Sequence, residues 1–177
     1  MSTNSLFADR RLRVSYWSAE ARLVDIDSLT LEQHLKRLGE VKVTPVKSLD
    51  GPEAANCDLL IIAAQKIDVM DFPQWLVGLR GRILALGTIW TPAIILADIP
   101  FESLSEMLPV AVQDNWYFDI LAPAHMTSLP IRVANLVRIH DHLQELRRYS
   151  AALEDVSAKV TLLEGQMLQL RSRNQTP

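Results

Sequence analysis

Asp58-Leu59-Leu60-Ile61-Ile62-Ala63-Ala64 is an unbroken apolar run behind a single acid. A strand with one wet face alternates apolar and polar residues. A run that is apolar at every position needs both faces covered, as in the centre of a parallel sheet. On either side of it the chain alternates between the two regular periods. Arg11 to Trp17 alternates and predicts a first strand, and Val41, Val43 and Val46 predict a second that stops at Asp50-Gly51-Pro52. Arg82-Ile83-Leu84-Ala85-Leu86-Gly87 reads as another buried strand, and Tyr117-Phe118-Asp119-Ile120-Leu121 as the last. Thr30 and Gln33 form a capping box for a helix carrying Leu31, His34, Leu35 and Leu38, closed by Gly39. Phe72 to Leu79 predicts a short amphipathic helix with Pro73 in its first turn, and residues 90–112, punctuated by Pro92, Pro100 and Pro109, a broken helical stretch. Alternating strands and helices with right-handed crossovers give an α/β fold: a doubly wound, parallel, five-stranded sheet with helices on both faces.

The chain then changes character. Pro130 to Leu170 predicts one helix of roughly 60 Å with a continuous apolar seam. The seam is Leu136, Ile139, Leu143, Leu146, Tyr149, Leu153, Val156, Val160, Leu163, Met167 and Leu170. Steps of three and four hold this line on one narrow stripe, the pattern of a coiled coil. Two consecutive steps of three, Leu143–Leu146–Tyr149, form a stammer that overwinds the helix locally. A helix this long meets a second copy of itself or another protein's helix. The organisation expected is a disordered leader over residues 1–10, a globular domain over 11–129, the extended helix over 130–172 and a tail over 173–177.

With 49% hydrophobic and 22% charged residues the chain can bury a core. Its net charge of −3 is divided unevenly. From Ile131 onward seven basic residues face five acids, leaving that segment at +2 and the body at −5. No helix face is basic enough for a phosphate-binding stripe, so this chain alone is not expected to bind nucleic acid. Cys57 is the single cysteine, which excludes an internal disulfide and a thiolate metal cage. There is no apolar run near twenty residues and no secretory h-region, which predicts a cytoplasmic protein with no membrane contact.

No catalytic constellation emerges. The six glycines form no dinucleotide fingerprint, P-loop or nucleophile elbow. His140 and His142 point about 200° apart on a helix and cannot share a metal. No enzyme activity, metal or cofactor is expected. The aromatic and aliphatic residues Trp90, Ile94, Ile99 and Phe101, with Trp116 and Tyr117, suggest a docking patch for a regulatory protein, since aromatics concentrate binding energy at interfaces.

Three places resemble the receiver domain of two-component response regulators. Asp58-Leu59-Leu60-Ile61-Ile62-Ala63 has the layout of the receiver's third strand, Tyr117 to Pro123 that of its fifth, and Leu38-Gly39-Glu40-Val41 that of the join between first helix and second strand. The resemblance spans residues 11–140 and implies a flavodoxin-like, or CheY-like, sheet. It also implies what has been lost. Ala63 occupies the phospho-acceptor position and Ala122 that of the lysine before Pro123. Thr88 falls near the switch threonine, and Trp17 and Ser18 sit where the magnesium-binding acid pair belongs, with Asp25 and Asp27 as rival candidates. The resemblance implies a pseudo-receiver. A degenerate receiver running into a coiled coil is similar in layout to antitermination regulators of the amidase-operon type, whose RNA-binding ANTAR module has no counterpart before Pro177. The function expected is a phosphorylation-independent signalling adaptor, homodimeric through its last helix. The alternative is an antitermination or gene-expression regulator acting through RNA or a regulatory partner.

Overall fold

The computed structural model describes residues 7, 10–18, 27–49, 51, 54, 56–64, 71–85, 91–99 and 117–173. In chain order they form β1 (Leu12–Ser18), α1 (Ser28–Leu35) with a 3-10 turn at Lys36–Leu38, and β2 (Val41–Val46). There follow β3 (Leu59–Ala63), α2 (Phe72–Ala85), β4 (Ala93–Leu96), β5 (Phe118–Leu121), a 3-10 segment at Pro123–Ser128, and α3 (Leu129–Arg173). The fold is α/β. All five strands are parallel, in the order β2-β1-β3-β4-β5.

The run from Leu59 to Ala63 is buried at every position, and β3 lies between β1 and β4 at the centre of the sheet. Its side chains divide by the two-residue period of a strand. Leu59, Ile61 and Ala63 join one core with Leu12, Val14 and Tyr16 of β1, Leu31 and Leu35 of α1, and Val133 and Val137 of α3. Leu60 and Ile62 join a second core with Trp17, Ile95 and the α2 residues Phe72, Leu76, Leu79 and Ile83.

Two expected elements are corrected. The predicted strand at Arg82–Gly87 is instead, as far as Ala85, the last turn of α2. Phe72, Leu76, Leu79 and Ile83 follow at steps of four, three and four and share one core. A short apolar run cannot by itself separate strand from buried helix, and this longer helical spacing decides between them. The fourth strand is Ala93–Leu96, buried throughout, inside the stretch expected to be broken helix. Pro92 and Pro100 bracket a strand there rather than interrupting a helix, and the β-branched pair Ile94-Ile95 suits it.

The cap of α1 is also earlier than predicted. Asp27 is its N-cap, its Oδ1 accepting the Thr30 backbone N–H at 2.6 Å. Hydrogen bonding from Thr30, above all from its backbone, holds the Asp27 carboxyl below its ordinary value near 3.8. A carboxyl lowered in the folded state stabilises it above the unfolded value, and the contribution is lost as pH falls through the folded one. In a carboxyl-carbon NMR titration Asp27 should therefore titrate below an unstructured aspartate. Amide exchange in the first turn of α1 should accelerate over the same acidic window. The helix ends in the 3-10 turn, after which Gly39 adopts φ 128°, a conformation that favours glycine.

Both sheet edges are blunted. The Leu12 N–H donates to Glu40 O at 2.8 Å, so the alternate N–H groups of β2, at Val43 and position 45, face outward. Glu32 Oε1 accepts from Val43 N at 2.8 Å, and Pro45 has no N–H to offer. On the opposite edge Tyr117 O and Leu121 O accept from β4, which turns the Ile120 N–H outward. It donates to Asp119 Oδ1 at 2.8 Å. Carboxylates and a proline on edge strands are standard protection against strand addition by another chain.

The chain divides into two compact units, residues 1–140 and 141–177. Phe7, expected in the disordered leader, donates its N–H to Leu38 O at 3.1 Å and packs against the first core. Among the described residues no helix is long and apolar enough to cross a membrane.

Candidate functional site

In parallel α/β sheets ligands and chemistry gather at the carboxyl ends of the strands. Among the described residues, alanines stand at or directly after the ends of β3, β4 and β5. Ala63 is the last residue of β3, paired in register with Ser18 of β1 and Leu96 of β4. It is 1% exposed, and its methyl group belongs to the core beside Tyr16. Ala97 follows β4, its N–H donating to Leu121 O at 3.1 Å. Ala122 follows β5, and Pro123 opens the 3-10 segment beyond it. Sequence reasoning missed Ala97, because the switch position had been sought at Thr88 after a strand that is in fact helix. Thr88 itself lies outside the described residues.

Asp27 is committed to capping α1, and Asp25 lies outside the described residues. Trp17 turns into the second core, with the Arg82 guanidinium carbon 5.5 Å from its ring centroid. Among the described residues no cluster of three His, Cys, Asp or Glu could hold a metal ion. Cys57 is buried, its Sγ donating to Ala54 O at 3.3 Å, and burial pushes its thiol up and away from the reactive thiolate. One shallow hollow of about 310 Å³ lies against α1 and the start of β2, lined by Leu29, Glu32, Lys36, Glu40 and Val41. Its charges are mixed and its floor is open to solvent.

Three members of the predicted aromatic docking patch, Ile94, Ile99 and Tyr117, are among the described residues. Ile94 is 0% exposed and sits in the first core with Tyr117 packed against it, while Ile99 packs against the second core. These cores lie on opposite faces of the sheet. Trp90, Phe101 and Trp116 lie outside the described residues.

The remaining candidate is α3. Its base is tied to β5 by a short polar chain. Arg132 Nη1 donates to Asp119 Oδ2 at 2.5 Å, Arg132 Nε donates to Ser128 Oγ at 3.2 Å, and Ser128 Oγ donates to His125 O at 2.9 Å. Leu129, Val133, Ala134, Leu136 and Val137 then pack into the first core. Leu136, predicted as the first residue of the dimer seam, is 7% exposed and is a core residue. The seam opens further along, with Ile139 at its margin and Leu143 half-buried.

In the second unit every residue from Glu145 to Leu170 is exposed. Leu146, Tyr149, Leu153, Val156, Val160, Leu163, Met167 and Leu170 are each 47–69% exposed, on one stripe. Leu162 and Leu168, outside the stripe, are exposed as well. Ion pairs along this helix include a His142–Glu145 contact at 3.8 Å and, farther on, Lys159–Asp155 at 2.6 Å. Both are solvated and contribute a few tenths of a kcal/mol.

Comparison with known proteins finds no family model, no curated protein and no solved structure that matches the chain. Residue chemistry and geometry therefore carry the functional reading.

Proposed function

We propose that this chain is a non-catalytic signal-transduction protein. It is a pseudo-receiver that works without phosphorylation, pairs with a second copy through the exposed stripe of α3, and regulates a partner protein by contact. The observation that carries the reading is the alanine at, or directly after, the end of each of β3, β4 and β5: Ala63, Ala97 and Ala122. They lie in a parallel sheet whose strand order is the flavodoxin-like one that receivers use. A methyl group at the acceptor position accepts no phosphoryl group, and one at the lysine position supplies no cation to hold an acyl phosphate.

Pairing is supported by the stripe itself. A helix of this length gains little stability from propensity alone and normally needs an apolar partner. Burying the exposed part of its eight seam side chains on each of two helices contributes on the order of 1 kcal/mol apiece. That offsets an association cost of about 4–15 kcal/mol. The blunted sheet edges disfavour association by strand addition, which supports the helix as the pairing element. The phosphate switch that would govern such a helix in a receiver is gone, so contact along the helix is the output.

The test is incubation of the intact chain with acetyl phosphate and magnesium, read by intact mass, beside an RNA titration at two salt concentrations. The expected result is no phosphoryl adduct and no salt-dependent RNA binding. Stoichiometric acyl phosphate overturns the pseudo-receiver. Tight, salt-dependent RNA binding moves the protein to the antitermination class.

A further inference from the structure

We infer that α3 pairs with its copy in parallel and in register, with Lys159 of each helix facing Glu164 of the other. The inference rests on the homodimer reading and adds its orientation. From Leu146 onward the stripe steps three and four without a fault, which fixes the heptad letters. Leu146, Leu153, Val160 and Met167 fall at a, and Tyr149, Val156, Leu163 and Leu170 at d. The positions flanking the seam are then Glu145, Ala152, Lys159 and Gln166 at g, and Ser150, Ser157, Glu164 and Arg171 at e.

In a parallel pair each g residue faces the e residue five positions later on the partner. The contacts become Glu145 to Ser150, Ala152 to Ser157, Lys159 to Glu164 and Gln166 to position 171, each made twice. All eight seam layers match and, among the described side chains, no like charges meet. An antiparallel pair sets g against g and e against e. The alignment that overlaps Leu146–Leu170 fully places Lys159 opposite Lys159 at its centre and leaves Glu164 beside Ser150. Sliding it by one heptad separates the lysines but puts Met167 opposite His142, outside the seam. Lys159 is exposed and bonded to Asp155 on its own helix, so Glu164 of the second copy would complete a three-charge row.

Orientation is read by a single cysteine at the end of the seam. In a Cys57→Ala background, Leu170→Cys in a parallel pair faces its own copy across a d layer. In the antiparallel pair the two are about 36 Å apart. Mild oxidation should convert most of the Leu170→Cys chains to a covalent dimer on a non-reducing gel. Glu164→Lys should weaken pairing roughly three- to tenfold, and Lys159→Glu with Glu164→Lys should restore it. If the sample scatters light as a dimer but forms no bridge, the parallel arrangement is overturned. A bridge formed only when Leu146→Cys and Leu170→Cys are combined identifies the antiparallel one. If the unoxidised sample scatters as a monomer, the homodimer reading fails and the orientation with it.

Discussion

Replacing Leu153 and Leu163 together with aspartate should convert the chain from dimer to monomer while leaving its sheet domain folded. Both leucines lie in the exposed stripe, at 69% and 57% exposure, and neither belongs to either core. The monomer therefore loses no packing when they change. A dimer loses the burial of four leucine side chains, about 1 kcal/mol or more each. It must also place four carboxylates in a low-dielectric seam, where an unpaired charge costs several kcal/mol more. The combined effect should raise the dissociation constant at least about a thousandfold. Light scattering should show the mass fall from twice to once the 19.9 kDa of the chain. Far-UV circular dichroism should show part of the helix lost, since an unpaired amphipathic helix is marginal in water. The urea midpoint of the sheet domain should stay where it was.

Truncating Ile61 to alanine should have the opposite profile. Ile61 lies in the central strand, 0% exposed, paired in register with Tyr16 of β1 and Ile94 of β4. It shares a core with Leu31 and Leu35 of α1 and Val133 and Val137 of α3. Covered from every side, the site cannot collapse around the lost methyl groups. The transfer and cavity terms together cost about 2–5 kcal/mol. A domain of this size has about 5–15 kcal/mol in total. The urea midpoint should fall sharply with little change in slope. Dimerisation, measured where the domain is still folded, should be unaffected, because Ile61 and the stripe belong to different compact units.

The two variants mirror what was legible in the sequence. Asp58 to Ala64 declared itself because a run apolar on both faces has few homes, and β3 lies at the sheet centre. The stripe from Leu146 to Leu170 declared itself through period alone. Boundaries and short runs were less readable. Ile83 to Leu86 looks like a strand until Phe72, Leu76 and Leu79 are read with it as one helical face. Ala93 to Leu96 was hidden by the prolines around it. Leu136 fits the seam by spacing, yet a helix that leaves a domain shares its spacing with the core it leaves, and only packing shows where one ends. Thr30 with Gln33 satisfies the capping pattern in the sequence, yet Asp27, three positions earlier, is equally able to cap, and the hydrogen bond it accepts from the Thr30 N–H shows that it does. At the strand ends Ala63 and Ala122 were found from the resemblance. Ala97 required the true position of β4.

In the proposed homodimer α3 meets its copy. Sedimentation equilibrium of the intact chain across the micromolar range tests it most directly. A single species of twice 19.9 kDa, dissociating only on dilution, is the predicted result. A species of 19.9 kDa at every concentration would contradict it.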